Sequence, residues 1–271
     1  PFIKYNGKFD KASWKEVFNI IKGKLKDTDN DKICGFTGDQ VNMETLYIFK
    51  EFFNKTLNSK NIEYRHNHSY LNPSKRENYI FNSTINGLEE SDFIFIIGSN
   101  PRYEATILNA RIRKSYLNNK TKIISLNNVG DLTYPYEILN GTTETIKEIV
   151  EGEHFVSNLI KQAKKPMVIL GQSALLSKSG KFIFESIKKF LVKNEKINDQ
   201  WNSLNIISEN ASTVGSVDLG IFKSLNGSNE VLTDLENHKF EVVFLLGQDN
   251  LNFKKKDEFV IYQGSHGDTG A

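Results

Sequence analysis

The sequence predicts an α/β protein in which parallel sheets are flanked by helices. Short apolar runs that stop at glycine or at polar turns recur along the chain, and helical patterns lie between most of them. Strands that alternate with helices indicate βαβ units, whose strands pair in parallel. Three of the runs end in a similar turn, and these are FIFIIGSN, MVILGQS and VVFLLGQDN. The repeated turn indicates a duplicated, Rossmann-like half.

Six apolar runs are predicted to be strands of these sheets. They are KICGFTGD (32–39), FIFIIGSN (93–100), KIISLNN (122–128), PMVILGQS (166–173), EVVFLLGQDN (241–250) and FVIYQGSHG (259–267). Helices are predicted over 14–25, 43–57 and 180–193, where apolar residues recur at helical spacing. The polar stretch GTTETIKEIVEGEHF (141–155) suggests a further helix that leads into a division. We therefore expect two Rossmann-like halves, 1–155 and 156–271, the second truncated at its C-terminal end.

The segment FIFIIGSNPRYEATILNARIRKSY (93–116) is the most informative part of the chain. Its apolar run ends at Gly98, and a helical pattern starts two residues later. Asn100 suits the cap of that helix, and Pro101 suits its first turn, where a missing N–H has no cost. A strand, a glycine turn and a helix N-terminus form the place where doubly wound sheets bind nucleotides. Because no GxGxxG or Walker motif follows any strand, the Gly98 and Gly247 turns are weak nucleotide signals.

Composition excludes several classes of function. The 271 residues are 38% hydrophobic and 25% charged, with a net charge of +2, which is typical of a globular protein without a nucleic acid partner. No apolar run approaches the length that spans a bilayer, so direct membrane insertion is not expected. The single cysteine, Cys34, cannot supply a disulfide within the chain, an iron–sulfur cluster or a cysteine-rich zinc site. It lies in a predicted strand, and we expect it to be a core residue rather than a reactive thiol.

The histidines give weak signals of chemistry. The segment Arg65–His68 holds the close pair His66 and His68, which could share a metal, although a polar loop that leads to Pro73 is the favoured interpretation. His154 and His238 are expected to be exposed. Ser265, His266 and Asp268 could form a catalytic set in the glycine-rich end of the chain. Three polar residues in one turn rarely have the geometry of a triad, so this interpretation is disfavoured.

Three cations, Arg111, Arg113 and Lys114, lie well inside the predicted helix that follows the Gly98 turn. Helical spacing puts Arg111 and Lys114 on one face and turns Arg113 away. Arginine can hold phosphate through two hydrogen bonds, but these residues lie more than two turns past the helix N-terminus. A pairing with acidic groups of a neighbouring subdomain or subunit is at least as well supported.

The same residues carry a resemblance to a known family. The segments GSNPRYEATILNARIRKSYL, DLTYPYEIL (131–139), KKPMVILGQSAL (164–175), VVFLLGQDN and IYQGSHGDTGA occur in this order. They resemble the C-terminal, molybdopterin-oxidoreductase-like region of the large iron–sulfur subunit of respiratory complex I, the G subunit of the NADH–quinone oxidoreductase, in its mitochondrial and alphaproteobacterial type. PFIKYNGKFDKASWKEVFNII and WNSLNIISENASTVGSVDLG (201–220) extend the resemblance over nearly the whole chain.

The resemblance implies a structural role in the peripheral arm of complex I. The family's iron–sulfur clusters lie in an N-terminal region that this chain does not contain, so we expect no catalytic, cofactor-binding or metal-binding residue and no cofactor here. The implied partners are other peripheral-arm subunits, above all the cluster-bearing N-terminal part of the same subunit. The implied location is the matrix side of the mitochondrial inner membrane, or the cytoplasmic side of a bacterial inner membrane. Without a nucleotide, Asn100–Lys114 and Gln263–Ala271 should lie near a subdomain junction or a partner.

The alternative is an active oxidoreductase that binds molybdopterin or a nucleotide. In molybdenum enzymes of this fold, a cysteine, selenocysteine or serine ligand precedes the GSNP turn. The comparable stretch here is RHNHSYL (65–71), which contains Ser69 but no cysteine. Ser69 is a possible ligand by residue type, and the scaffold interpretation is favoured over it.

Overall fold

The chain forms two compact units in a computed structural model that describes residues 1–208 and 210–264. Unit 1 consists of Pro1–His66, Ile221–Lys223 and the residues from Glu230 onward. Unit 2 consists of Asn67–Gly220 and Ser224–Asn229. The chain therefore starts in unit 1, builds unit 2, and returns to unit 1 for its last strands.

The elements of the described residues are numbered in chain order. The strands are β1 (Phe2–Tyr5), β2 (Lys8–Lys11), β3 (Ile33–Thr37), β4 (Ile62–Glu63), β5 (Phe93–Ile97), β6 (Lys122–Leu126), β7 (Glu137–Leu139), β8 (Pro166–Leu170), β9 (Leu204–Ile206), β10 (Val242–Leu246) and β11 (Phe259–Gln263). The helices are α1 (Trp14–Lys26), α2 (Met43–Glu51), α3 (Pro101–Glu104), α4 (Thr106–Asn119), α5 (Thr143–Glu151), α6 (Phe155–Gln162), α7 (Gln172–Leu176), α8 (Gly180–Lys193), α9 (Thr213–Leu219) and α10 (Glu230–Glu236). Over the described residues, none of these helices has both the length and the apolar composition that a membrane span requires.

Unit 1 is built on a parallel sheet with the strand order β11-β10-β3-β4. All five residues of β3 are buried, since the strand has neighbours on both sides and packs against α2. Gly35 stands in the middle of β3 because the rings of Phe49 and Phe53 fill the space of a side chain; a Cβ there would lie 2.6 and 2.5 Å from them. The strands β1 and β2 form a separate antiparallel hairpin that belongs to neither parallel sheet.

Unit 2 is built on a parallel sheet with the strand order β7-β6-β5-β8-β9. All residues of β5 and β8 are buried, as expected for strands covered on both faces. Because successive side chains point to opposite faces, Phe95 and Ile97 pack with residues of α5, α6 and α8. Ile94 and Ile96 pack with residues of α4 on the other face. These two layers are the core of the unit.

The predicted fold class is confirmed, and the six predicted strands are β3, β5, β6, β8, β10 and β11. The predicted helix 180–193 is α8, and 14–25 is extended by one residue in α1. The predicted helix 43–57 is α2 followed by a π-helical turn, Phe52–Leu57. The short strands β1, β2, β4, β7 and β9 were not predicted, because runs of two to four residues give no clear period.

The structure groups the residues differently from the expected halves, 1–155 and 156–271. The stretch 141–155 does contain a helix, α5, but β8 beyond it pairs with β5 in the same sheet. Likewise β10 pairs with β3, more than 200 residues before it. Local periodicity predicts that a strand exists, whereas its neighbours are decided by long-range packing. The division is therefore discontinuous in sequence.

Candidate functional site

Each parallel sheet has one position where a ligand of a doubly wound fold would be expected. In unit 2 the chain runs from β5 to β6 on one side and later adds β8 on the other side of β5. In unit 1 the chain runs from β3 to β4, and β10 is added on the other side of β3. Such a reversal of direction, at the carboxyl ends of the strands, normally opens a crevice between two loops. The β5/β8 switch point and the β3/β10 switch point are thus the candidate sites.

The β5/β8 switch point is filled by backbone. A Cβ on Gly171 would lie 2.2 Å from the carbonyl oxygen of Gly98 and 2.4 Å from the Cβ of Ser99. A Cβ on Gly98, whose φ is +64°, would lie 2.5 Å from the amide nitrogen of Ala174. The hydroxyl of Ser173 also donates a hydrogen bond to the Gly98 carbonyl, at 2.6 Å. The two loops therefore contact each other along their main chains at these glycines.

The helix that follows Gly98 already holds an anion of its own. Asn100 caps α3 as predicted, because its Oδ1 accepts a hydrogen bond from the amide of Arg102 at 3.1 Å. The amide of Asn100 donates to Glu104 Oε1 at 2.8 Å, and the hydroxyl of Ser99 donates to Glu104 Oε2 at 2.7 Å. These are the donors that a phosphate would use at a helix N-terminus. The carboxylate of Glu104 occupies them.

The helix itself is also unsuited to phosphate binding. The sequence predicts one continuous helix after Asn100, but α3 has four residues and breaks at Ala105 before α4 begins. A helix of one turn aligns few peptide dipoles, and the effect falls off within a turn. The N-terminus of the longer helix α4 lies at Thr106 rather than at the Gly98 turn. The break therefore removes the dipole that the sequence pattern indicated.

The cations on α3 and α4 are engaged within unit 2. Arg102 pairs with Asp131, whose pKa is lowered by the Thr133 amide and by this guanidinium. Arg111 and Lys114 both bind Glu89, and together they lower the pKa of that carboxyl. The pair does bind an acidic group, but the prediction that the acid belongs to a neighbouring subdomain or subunit is wrong, since Glu89 lies in the same unit. The pair is not placed to hold a phosphate.

Arg113 points elsewhere, as its helical position predicts. Its Nε donates to the carbonyl of Thr133 at 3.2 Å. The loop that contains Thr133 also accepts a hydrogen bond at the carbonyl of Val129 from the side chain of Asn100. The segment Asn100–Lys114 is therefore tied to the loop after β6 by several side chains.

The β3/β10 switch point is closed in the same way. A Cβ on Gly38 would lie 1.6 Å from the carbonyl oxygen of Gly247. The amide of Gly38 donates to the carbonyl of Leu246 at 2.8 Å. The buried side chain of Gln248 donates to the carbonyl of Thr37 at 2.8 Å and accepts from the amide of Asn250 at 2.9 Å. The turn after β10 is thus fastened to the turn after β3.

Carboxylates line this second switch point. Asp39 accepts a hydrogen bond from the side chain of Asn250 at 2.7 Å, and His66 Nδ1 lies 3.9 Å from the other Asp39 oxygen. Asp249 accepts from the hydroxyl of Tyr262 at 2.6 Å. An anionic ligand such as a phosphate would be repelled by these groups. One polar atom stands apart: the Thr37 hydroxyl is buried and has no hydrogen-bond partner among the described residues.

The stretch that could supply a protein ligand to the molybdenum of a pterin group, residues 65–71, contains no cysteine. Ser69 is buried, and its amide donates to the side chain of Asn67 at 3.0 Å. Arg65 is not part of a solvated loop, because its guanidinium is buried against Glu63 with an N–O distance of 2.7 Å. Over the residues that the structure describes, no group of three His, Cys, Asp or Glu side chains is placed to hold a metal ion.

Cys34 is the core residue that the sequence predicts. It is fully buried in β3, and burial raises the pKa of its thiol well above the ordinary range. The thiolate is the form that attacks substrates and binds metals. Cys34 is thus unsuited to both roles.

The exposure of two histidines differs from the prediction. His154 and His238 are half-buried rather than exposed, because each lies at a helix terminus with a hydrogen bond. His154 Nδ1 accepts from the amide of Val156 at 3.3 Å, and His238 Nδ1 lies 2.7 Å from Glu258. The possible set Ser265, His266 and Asp268 lies outside the described residues, as does most of Gln263–Ala271.

Glu104, Gln248 and the close glycine contacts are the site features that sequence reasoning missed. The role of Glu104 could have been predicted from its position, because carboxylates are favoured in the first turn of a helix. The glycine contacts join residues far apart in sequence, so no local pattern could have revealed them.

Comparison with known proteins agrees with this picture of the fold. The sequence model of the molybdopterin oxidoreductase family matches residues 1–271. Over the whole chain, the protein is 34% identical to the NADH-ubiquinone oxidoreductase 75 kDa subunit of Reclinomonas americana and covers 41% of it. It is also 34% identical to the NADH-quinone oxidoreductase G subunit of Rickettsia bellii and to the mitochondrial NADH-ubiquinone oxidoreductase 78 kDa subunit of Candida albicans, of which it covers 38% and 37%.

The chain thus spans about two-fifths of the length of these curated relatives. The predicted resemblance to the G subunit of the NADH–quinone oxidoreductase is confirmed, since the similarity extends over all of the chain. The family model accounts for both parallel-sheet units, because its match includes every described residue. The chain belongs to the molybdopterin oxidoreductase family.

Proposed function

We propose that this chain is a structural part of an NADH–quinone oxidoreductase, respiratory complex I. It supports electron transfer from NADH to quinone by bracing the cluster-bearing part of the enzyme, and it holds no redox cofactor of its own. The similarity to the bacterial G subunit and to the 75 and 78 kDa subunits supports the assembly. The observation that carries the structural role is the closure of both switch points by backbone contact.

The closure argues against a nucleotide at either position. At the β3/β10 switch point, an incoming group would have to separate the Gly38 amide from the Leu246 carbonyl and displace the buried Gln248. At the β5/β8 switch point, a phosphate would have to displace the Glu104 carboxylate from its two donors. Like charges about 4 Å apart repel by about 4 kcal/mol at the effective dielectric of a protein surface. At each switch point, the displacement of these groups costs free energy and so opposes the binding of a nucleotide.

An electron carrier is equally hard to place on this chain. Its single cysteine is a buried strand residue whose thiol stays protonated. A protein without an electron carrier cannot transfer electrons itself, but it can fix the position of a partner that holds such a carrier. A structural role is therefore favoured over a role in electron transfer.

One observation favours the alternative of a ligand-binding domain. The Thr37 hydroxyl is buried at the carboxyl end of β3 without a hydrogen-bond partner among the described residues. Buried polar atoms are usually paired, so an unpaired hydroxyl at a switch point suggests a bound group. The neighbouring carboxylates of Asp39 and Asp249 limit that group to a neutral or cationic one.

The proposed location follows from the proposed assembly. The named relatives include a mitochondrial subunit and bacterial ones. We place the chain on the matrix side of the mitochondrial inner membrane, or on the cytoplasmic side in bacteria, beside other subunits of the peripheral arm. Its immediate partner in this proposal is the cluster-bearing part of the large iron–sulfur subunit.

The experiment that tests the function is a cofactor analysis of the assembled enzyme. The complex is purified from its own cells, and molybdenum is measured by mass spectrometry together with pterin released by acid oxidation. We expect less than one-tenth of a molybdenum atom and of a pterin per chain. One molybdenum atom with one or two pterins per chain would overturn the proposal in favour of an active molybdopterin enzyme.

A further inference from the structure

The N-terminal part of unit 1 exposes large aromatic side chains. Phe2 and Phe9 lie on the β1–β2 hairpin and are 65% and 44% exposed. Trp14 and Phe18 lie on α1 and are 63% and 59% exposed. We refer to Phe2, Phe9, Trp14 and Phe18 as the N-terminal aromatic surface. So many large exposed rings within one short segment mark a site of interaction rather than scattered surface residues.

The hairpin presents one mixed aromatic and basic face. Its register pairs Phe2 with Lys11 and Lys4 with Phe9, so that these four side chains point to the same side. The ammonium group of Lys4 lies over the Phe9 ring, 4.9 Å from its centre. All four residues are exposed. A two-stranded hairpin outside any larger sheet is marginally stable in water, so this one needs a partner to cover it.

The helix α1 is a second, independent indication of a site of interaction at this surface. Trp14 and Phe18 are one turn apart, and their rings stack with centres 5.5 Å apart. The same stripe continues through Ile21 and Leu25, which are half-buried. In the part of the chain that the structure describes, α1 has no fully buried residue. Because an amphipathic helix gains most of its stability by packing its apolar face, α1 is incompletely packed as it stands.

Charge indicates the chemistry of the partner. Residues 1–26 contain seven lysines (4, 8, 11, 15, 22, 24 and 26) and two acids (Asp10 and Glu16), a net charge of 7 − 2 = +5. The whole chain carries +2, so the other 245 residues carry 2 − 5 = −3. The segment that carries the aromatic surface is therefore strongly basic, whereas the rest of the chain has a net negative charge. The complement of the aromatic surface is an apolar surface bordered by carboxylates.

A protein partner fits this surface better than a lipid bilayer. The outer edges of a two-stranded hairpin carry N–H and C=O groups that the hairpin cannot pair by itself. Burial of such edges in hydrocarbon would leave them without hydrogen bonds, whereas a protein can supply partners by strand pairing or side chains. The curated relatives also contain more than half of their length outside the region that this chain matches. In the relatives, these other regions are protein that can cover the surface.

We infer that the N-terminal aromatic surface is the docking site for a protein face that is apolar at its centre and acidic at its border. This inference rests on the proposed function in one respect, because it identifies the face as part of the cluster-bearing subunit. The aromatic rings supply the buried contact, and the lysines around them set the orientation.

The test is site-specific photocrosslinking in the cells that make the protein. The photoreactive amino acid p-benzoylphenylalanine replaces Phe18, and in a matched control it replaces Val192, which is 53% exposed on α8. We expect the photoreactive residue at position 18 to crosslink at least five times more than the one at position 192 to a single target, the cluster-bearing part of the large iron–sulfur subunit. The crosslinked peptide should contain apolar residues next to Asp or Glu.

A charge-reversal pair provides the second measurement. The change Lys11→Glu with Lys15→Glu should lower the yield of the crosslink from position 18 to the cluster-bearing part of the large iron–sulfur subunit at least fivefold. The matched control, Lys181→Glu with Lys189→Glu on α8, should change it less than twofold, because these exposed lysines lie outside the surface.

The other outcomes separate the inference from the proposed function. Crosslinks from position 18 to lipid, to a second copy of the chain, or only at the level of position 192 would overturn the inference. If the chain were still found in the assembled complex, the proposed function would stand. Crosslinks to an acidic face of an unrelated protein would support the docking chemistry and overturn the proposed function.

Discussion

The carbonyl oxygen of Gly247 lies 1.6 Å from the point where a side chain on Gly38 would begin. The two residues follow neighbouring strands of the same sheet, and their turns touch where a doubly wound fold usually opens to a ligand. In unit 2, Gly171 approaches the Gly98 carbonyl in the same manner. The same contact at both switch points is the observation on which the proposed structural role rests.

Replacement of Gly38 by alanine should destabilise unit 1. The added Cβ cannot be placed without separating two backbone segments, so we expect a loss of about 1–3 kcal/mol or more in the free energy of unfolding. Urea unfolding, followed by circular dichroism, measures the change. The matched control is Gly23→Ala in α1, where a Cβ would meet nothing within 4 Å; there we expect a gain of about 0.5–1 kcal/mol. Equal effects of the two changes would contradict the close contact.

Removal of the Glu104 carboxylate should leave the Ser99 hydroxyl and the Asn100 amide without their acceptor. We expect Glu104→Ala to lower the free energy of unfolding by about 1–2 kcal/mol, and Glu104→Gln to lower it less, because the amide oxygen can still accept one hydrogen bond. Asp10→Ala, at an exposed position of the hairpin, serves as the control for loss of a surface charge. The carboxylate would have no such role if Glu104→Ala and Asp10→Ala had the same effect.

Acid should weaken unit 1 through Glu258. Burial by itself would raise the pKa of this carboxyl, but the hydrogen bonds from His238 and from backbone amides outweigh burial and lower the pKa below its ordinary value of 4.5. A lowered pKa in the folded state contributes stability that is present above pH 4.5 and is lost as the pH falls through the lower, folded value. Unfolding by urea between pH 6 and pH 3 should show this loss. Glu258→Gln should flatten the dependence, and an unchanged slope would disprove the assignment.

Cys34 should be unreactive in the folded protein. Because burial keeps its thiol protonated, we expect a thiol reagent such as DTNB at pH 8 to modify less than one-tenth of the protein in an hour. Addition of 6 M guanidinium chloride should then release one equivalent of thiol at once. Rapid modification without denaturant would show that β3 opens or that the thiol is activated.

Local features of the site were predictable from the sequence. The run 93–97 followed by Gly98, the cap at Asn100 and Pro101 in the first turn all depend on neighbours in sequence, and all are present in the structure. Propensity and capping act within a few residues, so a single sequence is sufficient to read them.

The closed state of the site was not predictable in this way. The contact of Gly38 with Gly247 joins residues more than 200 positions apart in the sequence. The hydrogen bond between Ser99 and Glu104 depends on the helix break at Ala105. A glycine after a strand indicates a close backbone approach but does not say whether a ligand or another loop makes it. The discontinuous units were missed for the same reason, since strand order is a property of the whole sheet.

The rate of NADH oxidation with quinone per assembled complex shows whether the chain takes part in the reaction. It is measured in cells that carry Glu104→Gln or His266→Ala, with the amount of complex determined on native gels. We expect the rate per assembled complex to stay within about 20% of that of the unaltered enzyme, even if the amount of complex falls, because a structural part takes no part in the chemistry. A tenfold drop in that normalised rate, with assembly intact, would mean that the chain acts in the reaction and would contradict the account.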